Sequence, residues 1–284
     1  MGMLLPGAAG FTYHVTLPVL ALVMTLSTMG VQGNIFRSPR TLVVPALLGI
    51  LMNYVLLGGF LLGMSALFIQ EESLRKGFII LASVPPAVAV IPFTEFLEGD
   101  RTYSLIGTVG AYLGALIIMP LLAYFMLGAD FFDPVKLLVI MVELILIPMF
   151  LSRIFLWKGM DKWLNPVKGT ITNWSFFVVT YTIVGLNQDV FVHQTLTLLP
   201  IMGIAIGSTF ILGFLVERVG RVIRTRPKVL NSMVLLGTLK NYGLGGGIAL
   251  GLFGKQTALP ATVSTVFMIV YIIWLSVKKG SDRP

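Results

Sequence analysis

The sequence predicts an all-α, polytopic membrane protein with nine transmembrane helices arranged as inverted repeats, and three observations carry that prediction. Hydrophobic residues make up 56% of the 284, charged residues 11%, and the mean hydropathy is +0.93, so a water-soluble fold would lack the polar surface to cover itself. Nine apolar runs reach the roughly 20 residues that a bilayer-spanning helix needs. They fall at about 12–33, 41–63, 75–99, 102–127, 135–157, 169–187, 195–219, 229–254 and 257–277. Two of them, the third and the eighth, are interrupted in corresponding places and run in opposite directions, the pattern of two crossed broken helices. Connections are short, so residues 1–284 read as a single transmembrane domain.

The first run holds no Lys or Arg before Arg37, so it reads as a retained span rather than a cleaved signal. With the N-terminus outside, fifteen of the 20 basic residues lie on inner loops and tail and four on outer loops, with Lys240 inside a span. The positive-inside rule then predicts an N-out, C-in orientation in a plasma (inner) membrane. The basic run from Arg218 to Lys228 is a topology anchor in that scheme, with contact to lipid headgroups as its alternative.

The third run contains Pro85, Pro86 and Pro92; a proline inside a helix removes a hydrogen bond and clashes with the preceding turn. The turn Glu98-Gly99-Asp100 leads directly into the fourth run, and Glu95 and Glu98 read as solvated charges at a helix end. Glu143 lies inside the fifth run, where an acid is either a functional group or a carboxylate wetted by a crevice. The stretch WKGMDKW from Trp157 to Trp163 reads as an interfacial belt. The eighth run carries Lys240, Asn241 and Tyr242, followed by Gly243, Gly245, Gly246 and Gly247. Glycine loses the most backbone entropy in a helix, and a lysine at membrane depth costs roughly 2.5 to 3.5 kcal/mol. Opened backbone survives in a membrane only where it lines a cavity or meets protein. Breaks are therefore expected at 85–90 and 239–243, close together at mid-membrane. The alternative is two kinked helices, with Gly243, Gly247 and Gly251 as a small-residue packing face.

Cysteine is absent, which excludes disulfides and thiolate metal sites. His14 and His193 are far apart in sequence, and no phosphate loop, paired catalytic carboxylates or nucleophile constellation is present. Neither an enzyme nor a metal site is expected, and neither a nucleic acid nor an obligate protein partner; the partners expected are the lipid bilayer and a small organic anion, to which half-helix N-termini are suited.

Pro85 to Asp100 resembles the first crossover motif of the bile acid:sodium symporter family, and Lys240-Asn241-Tyr242-Gly243-Leu244 is similar to its second. The segment from Pro39 to Asn53 resembles a further helix of that family. The resemblance implies a secondary carrier with core helices at about 41–127 and 195–277, panel helices at about 12–33 and 135–187, and substrate in the crevice between them. It places substrate-binding positions at Thr94, Lys240, Asn241 and Tyr242, to which Glu143 is added as the intramembrane acid. Its cation-site positions fall on Asn53, Val90, Ile91, Ser104, Thr108, Leu236 and Lys240. Sodium wants several oxygen ligands, yet Val90, Ile91 and Leu236 are apolar and Lys240 is cationic. No cofactor other than sodium is implied, and ordinary sodium coupling is in question. The expectation is that Lys240, set beside the C-terminal carbonyls of the first half of the eighth helix, replaces a sodium ion. A permanent charge there implies uncoupled transport and a titrating one proton coupling; a lysine snorkelling to the interface is the bland alternative. An arsenite-type exporter, disfavoured by the missing thiolates, and a non-transporting ligand sensor are the rival functions.

Overall fold

A computed structural model describes residues 6–29, 39–87, 89–128, 142–188 and 195–281, with the single residues 135, 139 and 192. His193 lies outside the described residues, as do the side chains of Pro92 and Glu95. All regular structure among them is helical. In chain order the elements are α1 (Ala9–Thr28), α2 (Pro39–Ile50), a π turn (Leu51–Gly58) continuing into α3 (Gly59–Phe68), α4 (Glu72–Ser83), α5 (Val90–Phe96) and α6 (Arg101–Leu127). A second π turn (Val142–Leu146) leads into α7 (Ile147–Trp157), followed by α8 (Asp161–Leu186) and α9 (Thr195–Ile206). A third (Gly207–Ile211) joins α9 to α10 (Leu212–Val222); α11 (Pro227–Leu236), α12 (Tyr242–Phe253) and α13 (Leu259–Ser281) complete the fold.

Among the described residues, five stretches are long and apolar enough to cross a membrane: Ala9–Leu26, Leu42–Phe68, Arg101–Leu127, Leu196–Val222 and Leu259–Lys278. Nine were expected. Two of the nine runs are split into the short pairs α4/α5 and α11/α12, α7 is described only from its π turn onward, and α8 opens on a polar stretch with Asp161, Lys162 and Lys168. Much of the surface is apolar, as a lipid-facing surface must be: Leu47, Val55, Phe125, Leu196 and Val222 are all exposed. Trp157 and Trp163 flank the α7–α8 turn and are exposed as well.

Small residues let the helices approach closely. A Cβ on Gly49 of α2 would stand 2.2 Å from the Gly107 carbonyl oxygen of α6, so these two helices meet backbone to backbone. The turn before α6 departs from expectation in one respect. Glu98, not Gly99, takes the left-handed conformation, with φ 50°. Gly99 is needed for space, because a Cβ there would lie 2.6 Å from the Thr94 methyl. Asp100 caps α6, its carboxylate accepting from the Tyr103 amide at 2.9 Å.

Candidate functional site: a lysine at the crossing of two broken helices

The first break follows from the prolines. Pro85 and Pro86 have no N–H, so the carbonyls of Leu81 and Ala82, four residues earlier, lose their helical donors, and Val84 is pushed to extended backbone at φ −73°, ψ 153°. The helix resumes at Val90. The second break runs from Gly237 to Asn241. Asn241 then starts α12 as its N-cap, its side-chain oxygen accepting from the Leu244 amide at 3.0 Å.

The two breaks pair with each other as a short antiparallel bridge between Pro86 and Lys240. Ala87 N–H donates to the Leu239 carbonyl at 3.1 Å, and Asn241 N–H donates to the Pro85 carbonyl at 3.0 Å. Backbone groups opened in one helix are thus satisfied by those opened in the other, which is the condition for opening them away from water.

Lys240 is fully buried. Its ammonium donates to Asn53 Oδ1 at 2.7 Å and to the carbonyls of Ala82 and Val84 at 2.8 Å each, and it sits 4.7 Å from the centre of the Tyr54 ring. All three N–H donors are used, and the ring face adds a cation–π contact. No carboxylate among the described residues pairs with it. The carbonyls that receive it belong to the break after α4, not to the end of α11, which corrects the expectation from sequence. Ala82 is one of the carbonyls the prolines orphaned, so the lysine supplies a donor that the chain itself cannot.

The other candidate positions divide into three groups. Val90 and Leu236 are buried in one apolar cluster, and Ile91 is buried as well. Thr94 donates to the Val90 carbonyl and stands 2.7 Å from the Ser104 hydroxyl, while Thr108, one turn along α6, is buried with no hydrogen-bond partner for its hydroxyl. Asn241 Nδ2 donates to the Tyr112 hydroxyl at 2.9 Å and contacts Met24 Sδ at 3.4 Å; Tyr242 is buried in a separate apolar cluster. Glu143 is not part of this assembly: it is exposed on the π turn Val142–Leu146. A cavity of about 270 Å³ lies between α1 and α8 against Val19, Thr170 and Trp174, and shares no residue with the crossing.

Sequence reasoning missed Tyr54, Tyr112, Met24 and the two carbonyls. The Pro-Pro pair could have revealed the Ala82 carbonyl, since it announces orphaned acceptors four residues upstream, but not that of Val84. Nothing in the sequence marks Met24.

Residues 17–195, well over half of the chain, match the family described as Sodium Bile acid symporter family. The chain belongs to the sodium bile acid symporter family. Members of this family are membrane transporters of organic anions or similar solutes, which sets the class of the protein as a transporter embedded in a lipid bilayer. A comparison with curated proteins finds no match. The family match includes the first break and Asn53 but stops short of α11 and α12, so the lysine side of the crossing rests on the geometry above.

Proposed function

We propose that the chain is a secondary transporter of a small organic anion, working by alternating access, in which the Lys240 ammonium occupies the place of a coupling sodium ion. One observation carries the reading: a fully buried ammonium at the crossing of the two broken helices, held by three neutral oxygens and an aromatic face. Oxygens are what a hard cation seeks, and here a tethered cation takes three of them. Three further positions of the implied sodium sites, Val90, Ile91 and Leu236, offer sodium no side-chain oxygen. Nine crossings in two inverted repeats are supported by spacing. The π turns beginning at Leu51 and Gly207 start 156 positions apart.

No acid among the described residues pairs with the charge, so a substrate carboxylate or sulfonate approaching the crossing meets an uncompensated cation together with the N-terminal end of α12. Transport then needs no sodium. The experiment is uptake of a panel of organic acids into proteoliposomes in sodium or choline buffer, preceded by a thermal-shift screen of the same acids with and without sodium. Equal uptake in both buffers is expected. Uptake driven by a sodium gradient would overturn the replacement of sodium by Lys240.

A further inference from the structure

Of the panel elements α1, α7 and α8, α1 packs on α12 and α8 on α12 and α13, and an apolar cluster joins α1 and α8 to α6 and α12. Asn187 at the end of α8 bonds to Lys255 on this side of the fold. An apolar seal forms there from Leu20 and Met24 of α1, Val179 and Ile183 of α8, and Leu244 and Ile248 of α12. On the opposite side the cluster formed by α5, α11 and α13, with Val90, Leu230, Val234 and Ile272, contains no residue of α1, α7 or α8. The described structure is therefore shut on the side of the N-terminus.

The glycines of α12 make the seal tight. A Cβ at Gly247 would fall 2.2 Å from Leu20 Cδ1, and one at Gly246 3.1 Å from Ile183 Cδ1. Polar contacts cross the seal at two depths. At the rim, Asn187 Nδ2 donates to the Lys255 carbonyl at 2.9 Å. At the level of the crossing, Asn241 Nδ2 reaches both the Tyr112 hydroxyl and Met24 Sδ, with the Tyr112 hydroxyl 3.8 Å from the same sulfur. Asn241 and Tyr112 belong to the elements around the crossing, whereas Met24 belongs to α1.

We infer that Met24 is the detachable acceptor of a latch on the N-terminal side. Tyr112 orients the Asn241 amide toward it, and the amide is handed to the substrate anion when that side opens. This rests on the transport reading above and adds gating roles for Met24 and Tyr112. A thioether is a weak acceptor, so its hydrogen bond is easily exchanged for one to a carboxylate. When α1 swings away, the Asn241 oxygen stays bound to the Leu244 amide while the amide nitrogen loses only Met24.

The chain contains no cysteine, so Ile183→Cys is a single reporter buried inside the seal. The purified protein is exposed to a charged maleimide, and the labelling rate is compared among Met24→Leu, Tyr112→Phe and Asn231→Ala, each in the Ile183→Cys background. Asn231 donates to the Leu97 carbonyl at 3.0 Å on the opposite side and controls for general loosening. Met24→Leu and Tyr112→Phe should each raise the rate roughly fivefold, the population shift that losing one neutral hydrogen bond gives a two-state equilibrium. Asn231→Ala should leave it unchanged. Unaltered rates in both latch variants, or an equal rise in the control, would overturn the latch. Labelling reads the latch whether or not any anion moves, and uptake in choline buffer reads transport, so the two failures are distinguishable.

Discussion

Replacing Lys240 with methionine keeps most of the side-chain volume and removes every donor. Asn53 Oδ1 and the carbonyls of Ala82 and Val84 are then left buried without the ammonium, and Asn53 Nδ2 already lacks a partner. Each acceptor stranded in this way costs about 1–3 kcal/mol, about 3–9 kcal/mol for three. Removing a buried charge returns part of that, because a desolvated ammonium is itself costly, so the lower figure is the one to use. At about 2 °C per kcal/mol for a chain of this length, a loss of about 3 kcal/mol lowers the unfolding midpoint by about 6 °C. The assay is thermal unfolding of the detergent-solubilised protein followed by intrinsic fluorescence, for which the chain carries four tryptophans. A midpoint equal to or above that of the unmodified protein would refute the reasoning, since it would mean that these carbonyls do not depend on the lysine.

Lys240→Gln should mostly abolish uptake rather than convert the carrier to sodium dependence, because Leu236 beside it supplies no oxygen; robust sodium-driven uptake by this variant would contradict that. Gly247→Ala puts a methyl 2.2 Å from Leu20 Cδ1, so the Leu20 side chain must move within the seal, and the Ile183→Cys reporter in this background should label faster, with an unchanged rate counting against the seal. A cysteine at Lys255 should be labelled from outside intact cells and one at Arg224 only after permeabilisation, and the reverse pattern would overturn the N-out orientation.

The breaks were legible because they are written in residue types that a helix tolerates poorly. Pro85-Pro86 and the glycines after Lys240 locate both interruptions to within a few residues of Ser83–Val90 and Leu236–Tyr242. The partners of Lys240 were legible only in part: the Pro85-Pro86 pair marks the Ala82 carbonyl as an orphaned acceptor, whereas the Val84 carbonyl has no sequence signature. Asn241 illustrates a second limit. Its position beside the lysine suggests binding, but whether its amide faces an anion or a thioether depends on how α1 is rotated and seated, which its apolar sequence leaves open. Glu143 was singled out by composition alone, and its exposed π turn keeps it apart from the crossing. The π turns themselves follow from no pattern of period 3.6, since they arise where packing between neighbouring helices displaces one residue from the regular ladder.

The bridge between the two breaks has a consequence for how the protein is made. Ala82 and Val84 receive their donor from a residue 158 and 156 positions downstream, and Pro85 and Ala87 find their partners at Asn241 and Leu239. A ribosome delivers α1 to α6 into the bilayer well before it reaches residue 240. Throughout that interval the first break carries exposed backbone groups, each costing several kcal/mol wherever lipid rather than water or protein meets them. The amino-terminal half is thus a conditional insertion product. Its α4 and α5 settle only when the later half arrives, and a nascent chain truncated before Lys240 presents the membrane quality-control machinery with an unfinished helix.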